Sequence, residues 1–361
     1  MKFVNQEKSV FFSTLRSRVN QHFKDNNITR YGNQEIFIKS FVLLSIYLGA
    51  YLSILFVPWP ALWLLPFVIL MGISKAGIGM TVMHDALHGS YSKSKLVNQL
   101  MGNSIYLLGS NASVWKIQHN LLHHTYTNIH GKDEDIDDKA VIRLSRQAPL
   151  KSFHAYQHIY ALFLYGFLTL HRTIDEFFKL LTYHKDGILK RQKKSAGKEF
   201  SRLIGFKLVY LFAMLVLPVL ITPLLWWQVL LGFLIMHMIA GFILANIFQF
   251  AHIVEGAEQP MPNPEGNIEN EWAIHQLNTT ANFARHSRVL NWYIGGLNYQ
   301  IEHHLFPNIS HVHYRQISKI VEKTAAEFEL PYNVKPTALD AFRSHVRILR
   351  QLGAPLQRVK A

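Results

Sequence analysis

Residues 208–251 contain no Asp, Glu, Lys or Arg. A soluble fold spaces its apolar residues so that each helix or strand keeps one polar face. An uncharged stretch of this length is instead about twice the ~20 residues with which a helix crosses a bilayer. Two further runs have the same character. Ser40–Val57 is uncharged and is ended by Pro58-Trp59-Pro60, and Ala61–Met83 carries Lys75 as its single charge. These runs exclude both an ordinary soluble globule and a disordered chain. They predict an all-α polytopic membrane protein with four transmembrane helices in two hairpins, at about 40–57, 61–83, 205–222 and 228–251. The hairpins turn at Pro58–Pro60 and at Thr222-Pro223, where Trp59, Trp63, Trp226 and Trp227 form the aromatic belt expected at a membrane interface. Tyr156–Leu170 is apolar but short, and reads as a re-entrant or interfacial helix.

The charges fall between the spans. Lys and Arg total 37 against 23 Asp and Glu. Residues 1–39 hold 7 basic and 3 acidic side chains, 84–207 hold 18 and 10, and 252–361 hold 11 and 10. The two short turns have no Lys or Arg. By the positive-inside rule, four spans put the three charged blocks and both termini on the cytoplasmic side. No nucleic-acid module accompanies the charge, so a nucleic-acid partner is excluded. Three regions follow. Residues 1–35 form a cytoplasmic amphipathic N-terminus, with Phe11, Leu15 and Val19 at i, i+4, i+8 marking an interfacial helix. Residues 36–330 form the membrane domain, with a basic cytoplasmic loop at 185–202. Residues 331–361 form a cytoplasmic tail, and the helical periodicity of 312–351 gives the site a helical cytoplasmic cap.

The chain has 20 histidines and no cysteine. Disulfides, thiolate zinc sites and iron–sulfur clusters are excluded, so any metal is held by nitrogen or oxygen. Three clusters stand out: His84-Asp-Ala-Leu-His88 directly after the second span, His119-Asn-Leu-Leu-His123-His124, and Gln300-Ile-Glu-His303-His304. On an α-helix, residues i and i+4 share a face, so His84 pairs with His88 and His119 with His123. His124, turned by about 100°, reaches a neighbouring ion. Seven imidazoles exceed one tetrahedral site and point to two ions, and imidazole without thiolate suits zinc, copper, iron or nickel. His252, at the cytoplasmic end of the fourth span, is an eighth candidate ligand. His237, in mid-span, reads as a packed intramembrane polar residue. Gln300 either binds metal weakly through its amide oxygen or leaves a position open. Ligating histidines pass their second N–H to an acceptor. That makes Asp85, Asp135 and Glu302 candidate orienting acids, drawn from Asp85, Glu302 and the run Asp133, Glu134, Asp135, Asp137 and Asp138. Asn298 is a candidate for holding an ordered water or a helix cap.

The three boxes, with a long interval between the second and third, resemble those of the membrane fatty acyl desaturases. The segment Asn291-Trp-Tyr-Ile-Gly-Gly-Leu-Asn-Tyr-Gln-Ile-Glu-His-His-Leu-Phe-Pro307 is very similar to the third-box region of front-end desaturases of the linoleoyl-CoA delta-6 type, which carry Gln at the position of Gln300. The resemblance spans about residues 35–330. It implies a cytoplasmic di-iron centre with His84, His88, His119, His123, His124, His303 and His304 as ligands, and it matches His252 to an additional histidine at the end of the fourth span. It implies that the enzyme uses O2 and two electrons to place a cis double bond in a fatty acyl chain carried on coenzyme A, acyl carrier protein or a glycerolipid. Many front-end enzymes carry a fused cytochrome b5 domain with a His-Pro-Gly-Gly motif, which does not occur here. Electrons are therefore expected from a separate ferredoxin or cytochrome b5 type donor. The second box is spaced H-x-x-x-H-H, where H-x-x-H-H is common among front-end enzymes. The same centre also suits a membrane lipid hydroxylase or oxygenase. A metal transporter is disfavoured because transport sites lie near mid-membrane, whereas these clusters lie at or beyond the span ends.

Overall fold

A computed structural model describes residues 1–4, 9–137 and 141–355. Asp138 and the last six residues of the tail lie outside the described residues. In chain order the helices are α1 (Phe11–Asp25), α2 (Gln34–Phe56), α3 (Leu65–His88), α4 (Lys95–Gly102), α5 (Ser104–Leu107), α6 (Ala112–Trp115) and α7 (His124–Tyr126). There follow α8 (Gln157–Tyr165), α9 (Leu168–Lys185), α10 (Ile188–Arg191), α11 (Ala196–Leu211), α12 (Leu217–Ile221) and α13 (Trp226–His252). The remainder are α14 (Trp272–Thr279), α15 (Arg288–Tyr293), α16 (Gln300–Leu305), α17 (Tyr314–Glu327) and α18 (Ala338–Leu352). Two-residue strands β1 (Asn282–Phe283) and β2 (Val334–Lys335) pair in parallel. Among the described residues the regular structure is thus helical apart from this minimal ladder and an isolated bridge between Phe3 and Ile268.

Four helices among the described residues are long and apolar enough to cross a membrane: Gln34–Phe56, Ala61–His88, Ala196–Ile221 and Trp226–His252. Each covers all but at most the last residue of one expected span and extends beyond it. The Tyr156–Leu170 run is not a fifth. It is interrupted at Gly166-Phe167 between α8 and α9, and α9 carries charges along its length. Local chemistry sets the boundaries. Asn33 caps α2 by accepting the Glu35 N–H, and α2 ends at the residue before Val57-Pro58, where proline disfavours further helix. The segment Ala61–Leu64 opens the second span as a 3₁₀ turn, and Pro66 lies in the first turn of α3. Gly89 closes α3 in the left-handed conformation, φ +76°, which suits glycine.

The chain divides into two compact units: residues 33–117 with 163–245, and residues 1–32 with 118–162 and 246–361. In the first, α3 packs along α2, and Gly72 lets it approach Ile239 of α13, where a Cβ would fall 2.8 Å from the Ile239 side chain. The interior of this unit is not purely apolar. Lys75 Nζ lies 2.9 Å from Tyr210 Oη and 3.2 Å from His237 Nε2. His237 also meets Tyr210 at 2.7 Å and Thr169 at 2.9 Å, so it is the packed polar residue that its mid-span position suggested. Lys207 and Glu176 form a buried pair at 2.7 Å, and Glu176 also accepts the Asn111 N–H.

In the second unit, α1 differs from its expected interfacial role. Phe11, Leu15 and Val19 are buried in a cluster with Ala273 and Leu277 of α14 and Ile317, Val321 and Ala325 of α17. Arg18 on the outer face pairs with Glu327 at 2.7 Å. The apolar stripe is present, but protein covers it. The periodicity of the tail is likewise realised in α17 and α18. The 185–202 segment also differs. It is helical over α10 and the start of α11, because its cations sit among good helix formers between two longer helices.

Candidate metal centre

α3 presents His84 and His88 in its last turn, one helical turn apart, with ring centroids 4.7 Å from each other. The indole of Trp115 lies 5.7 Å from His84 and 5.6 Å from His88. Asp85 Oδ1 is 3.8 Å from His84 Nδ1, beyond hydrogen-bond range.

The second box departs from α geometry. Lys116–His123 is a π-helical stretch. A π turn closes between residues five apart, so His124 comes into line with His119, their Nε2 atoms 3.3 Å apart. His123 stacks on His119 at 5.4 Å. The expected 100° offset of His124 is therefore absent, and all three rings point inward together.

α16, all six residues of which are buried, brings the third box to the second. His303 and His304 lie 4.6 and 4.4 Å from His124, centroid to centroid. His252, the last residue of α13, lies 4.7 Å from His123 and 5.0 Å from His304. Donor atoms of His123, His252 and His304 all fall within 4.8 Å of one another, as do those of His124, His303 and His304.

The surrounding residues set the ring orientations. Asp133 Oδ2 accepts from His123 Nδ1 at 3.0 Å and from the Asn128 N–H at 2.9 Å, while its Oδ1 accepts the Asp135 N–H. His123 is then the tautomer whose Nε2 carries the lone pair that coordination needs. The expectation placed Asp135 in this role. Its carboxylate is 3.8 Å from His123 Nδ1 and is engaged by the Gln118 amide at 2.6 Å. His304 Nδ1 faces Gln276 Oε1 at 2.8 Å, and Thr127 bridges the His123 carbonyl and Gln276. Gln276 Nε2 and Trp272 Nε1 both donate to the His124 carbonyl. His303 Nδ1 meets the Tyr314 hydroxyl at 3.1 Å. Asn128 donates to the His252 carbonyl at 2.9 Å.

Two other expected contributors point elsewhere. Glu302 takes Asn282 Nδ2 and the Tyr332 hydroxyl, each at 2.8 Å. Burial pushes its carboxyl up to about 7 against those two hydrogen bonds. It anchors α16 to β1, helped by Asn282 Oδ1 accepting the Ile301 N–H. Asn298 contacts the Ala284 carbonyl and accepts the Phe283 N–H, fixing the loop before α16. Gln300 is buried at the first position of α16. It and the Thr279 carbonyl approach the His252 ring without reaching hydrogen-bond geometry.

The residues present fit a metal. Among the described residues, both ring nitrogens of His252 and Nε2 of His304 are buried without a hydrogen-bond partner, an arrangement that is costly unless a Lewis acid takes the lone pairs. Burial, reinforced by His124, His123, His252 and His119, holds His304 well below the usual imidazole pKa. It is neutral, as a ligand must be. The histidines and the acids are visible in the sequence. Thr127, Asn128, Trp272, Gln276 and Tyr314 were missed. Only Thr127 and Asn128, which directly follow the second box, had a signal that could have found them.

A family model described as fatty acid desaturase matches residues 67–336. The acyl-lipid (8-3)-desaturase of Physcomitrium patens is 35% identical over 356 residues, 98% of this chain and 74% of that protein. The sn-1 linoleoyl-lipid 6-desaturases of Arthrospira platensis and Synechocystis sp. are each 33% identical over 96% of this chain, and the match covers 93% and 96% of those proteins. A matched family model over most of the length, together with full-length relatives, means that this chain belongs to the fatty acid desaturase family.

Proposed function

We propose that this protein is an O2-dependent di-iron desaturase that places a cis double bond in a fatty acyl chain. Its iron ligands are His84, His88, His119, His123, His124, His252, His303 and His304. The observation that carries the reading is the pair of buried imidazole triads around His304, in a chain of this family. Zinc has no redox chemistry, whereas iron supplies the activation of O2 that an unactivated methylene requires. The overall change consumes O2, two electrons and two protons, and yields the alkene and two waters. The chain's own part is to fix the imidazole tautomers through Asp133, Gln276 and Tyr314, to keep water from the rings by burial, and to hold the acyl chain against the site. Gln300 stands beside the ligand set as the residue that leaves a position open.

The third-box resemblance suggested an acyl-CoA substrate. The relatives named above act on acyl lipids, which favours an acyl chain carried on a glycerolipid. Electrons come from a separate ferredoxin or cytochrome b5 type carrier. The four apolar helices cross the membrane as two hairpins, with the histidine boxes and both termini cytoplasmic. Residues 1–35, 36–330 and 331–361 form the N-terminal region, desaturase domain and tail. Family membership favours desaturation over oxygen insertion. The test is expression in a host lacking polyunsaturated lipids, with fatty acids supplied and products located by mass spectrometry. New double bonds that require O2 and vanish in His303→Ala are expected. Hydroxylated products, or turnover under strict anaerobiosis, overturn the reading.

A further inference from the structure

The segment from the end of α9 to the start of α11 carries a charge pattern that the redox chemistry does not use. α9 is amphipathic in the sense opposite to that of a water-facing helix. Along its middle it buries Thr169, Glu176, Leu180 and Tyr183 and exposes Ile174, Phe178 and Leu181, with exposed His171 at one end of that stripe and Thr182, His184 and Lys185 at the other. Ile174, Phe178 and Leu181, spaced i, i+4 and i+7, are 65, 63 and 43% exposed. A helix that exposes a stripe of large apolar side chains flanked by polar ones lies against lipid. Its charges exclude it as a span, so it lies in the interface. At the other end, Lys198 and Arg202 open α11, and the chain is free of charge from Leu208 to Ala251. Both flanks therefore bring the intervening residues to head-group depth.

Lys185, Lys190, Arg191, Lys193, Lys198 and Arg202 are all exposed there, with Asp186 the exposed carboxylate of the same stretch. Among the described residues, no carboxylate lies within ion-pair distance of Lys190, Arg191, Lys193 or Lys198. Nearby, Lys194 Nζ contacts Ser113 Oγ at 3.1 Å. Ser113 belongs to α6, the short helix whose Trp115 packs on His84 and His88.

We infer that this cationic turn is a docking surface for anionic glycerophospholipid head groups, held beside α6. The combination of unanswered cations and a lipid-facing apolar stripe on the adjoining helix is what separates a lipid occupant from an acidic protein, which would need a face clear of the bilayer. Each exposed cation near an anionic leaflet is worth about fivefold in binding. The inference depends on the membrane setting but not on iron.

The test reconstitutes the full-length protein, with and without iron, in phosphatidylcholine vesicles containing spin-labelled phosphatidylglycerol or phosphatidylcholine with identical chains. The ratio of their association constants is read by electron paramagnetic resonance. The wild type is expected to prefer phosphatidylglycerol by about fivefold or more, whether or not iron is bound. The preference is expected to fall to parity in high salt and in Lys190→Gln/Arg191→Gln/Lys193→Gln/Lys198→Gln. The charge-keeping variant Lys190→Arg/Arg191→Lys/Lys193→Arg/Lys198→Arg is expected to retain it. If the glutamine variant does not insert, Lys198→Glu alone should lower the ratio. An unchanged ratio in the neutralised protein overturns the inference. So does loss of ferredoxin-supported turnover at constant lipid preference, which reassigns the turn to an acidic protein. Displacement of phosphatidylglycerol by free coenzyme A reassigns it to a soluble phosphate carrier. A desaturase reading that fails leaves the lipid ratio standing.

Discussion

Asp133→Asn separates the orienting role of Asp133 from that of its neighbour Asp135. Among the described residues, the Asp133 carboxylate has three partners, all donors: the His123 ring at 3.0 Å and the backbone N–H groups of Asn128 and Asp135 at 2.9 and 3.1 Å. An amide of the same shape keeps one acceptor and adds a donor that must face a donor. If His123 is the group that yields, its tautomer inverts and a proton occupies the nitrogen meant for metal. Loss of such an outer partner typically costs 10–100-fold in metal affinity, about 1.4–2.7 kcal/mol. If a backbone N–H yields instead, a buried unsatisfied donor costs about 1–3 kcal/mol of stability. Asp135→Asn leaves the His123–Asp133 contact in place, since Asp135 stands 3.8 Å from the ring and binds Gln118. A change of less than about threefold in iron affinity is expected there, within the range of a distant polar contact. The assay is iron retained by purified protein against a graded chelator, with the melting temperature recorded on the same samples. The reasoning is refuted if Asp135→Asn loses iron as readily as Asp133→Asn.

Gln276→Leu removes the acceptor of His304 Nδ1 and a donor to the His124 carbonyl. Roughly tenfold weaker iron retention is expected, with Gln276→Glu, which keeps the acceptor, closer to wild type in the same chelator titration. Lys207→Met strands Glu176 in the helix interior, where breaking a buried pair costs about 3–5 kcal/mol. Lys207→Met/Glu176→Gln should recover much of the thermal stability seen by size-exclusion after heating. His345 is fully buried, its Nδ1–H donates to the Ile253 carbonyl, and burial lowers its pKa to about 4. Unfolded, it titrates near 6.5, so between about 6.5 and 4 only the unfolded chain takes the proton. Its contribution is therefore full above pH 6.5 and lost as pH falls toward 4, by about 3 kcal/mol in total. His345→Leu is expected to lose less stability than wild type between pH 7 and 4.5, and parallel melting-temperature profiles would contradict this.

What was legible in the sequence, and what was not, follows the range of the signal. The four long apolar helices were legible because composition over about twenty residues decides whether a helix can span a bilayer, and no distant contact alters that reading. The histidine clusters were legible because the capacity to hold a metal is written in the residue itself. Phe11, Leu15 and Val19 were seen as a stripe, but an apolar stripe does not state whether lipid or protein covers it, and α17 supplies the cover. Asp135 was preferred to Asp133 because spacing within an acidic turn does not say which carboxylate folds back on the ring. Gln276 and Tyr314 orient their histidines from 28 and 11 residues away. Isolated in sequence, a glutamine and a tyrosine carry no mark of that role.

The second box shows how a spacing that looks irregular can keep its chemistry. H-x-x-x-H-H exceeds the common front-end spacing by one residue. On an uninterrupted α-helix an inserted residue rotates everything beyond it by about 100°, which would swing His124 away from His119. A π turn is the conformation that absorbs a single inserted residue, because its hydrogen bonds close one residue later. The stretch Lys116–His123 adopts it, and the insertion leaves no rotation behind. His119 and His124 meet at 3.3 Å, five residues apart instead of four. The backbone bonding of this one stretch is the compensation, and it works only because α16 and α13 already fix where the partner rings, His303, His304 and His252, must be met.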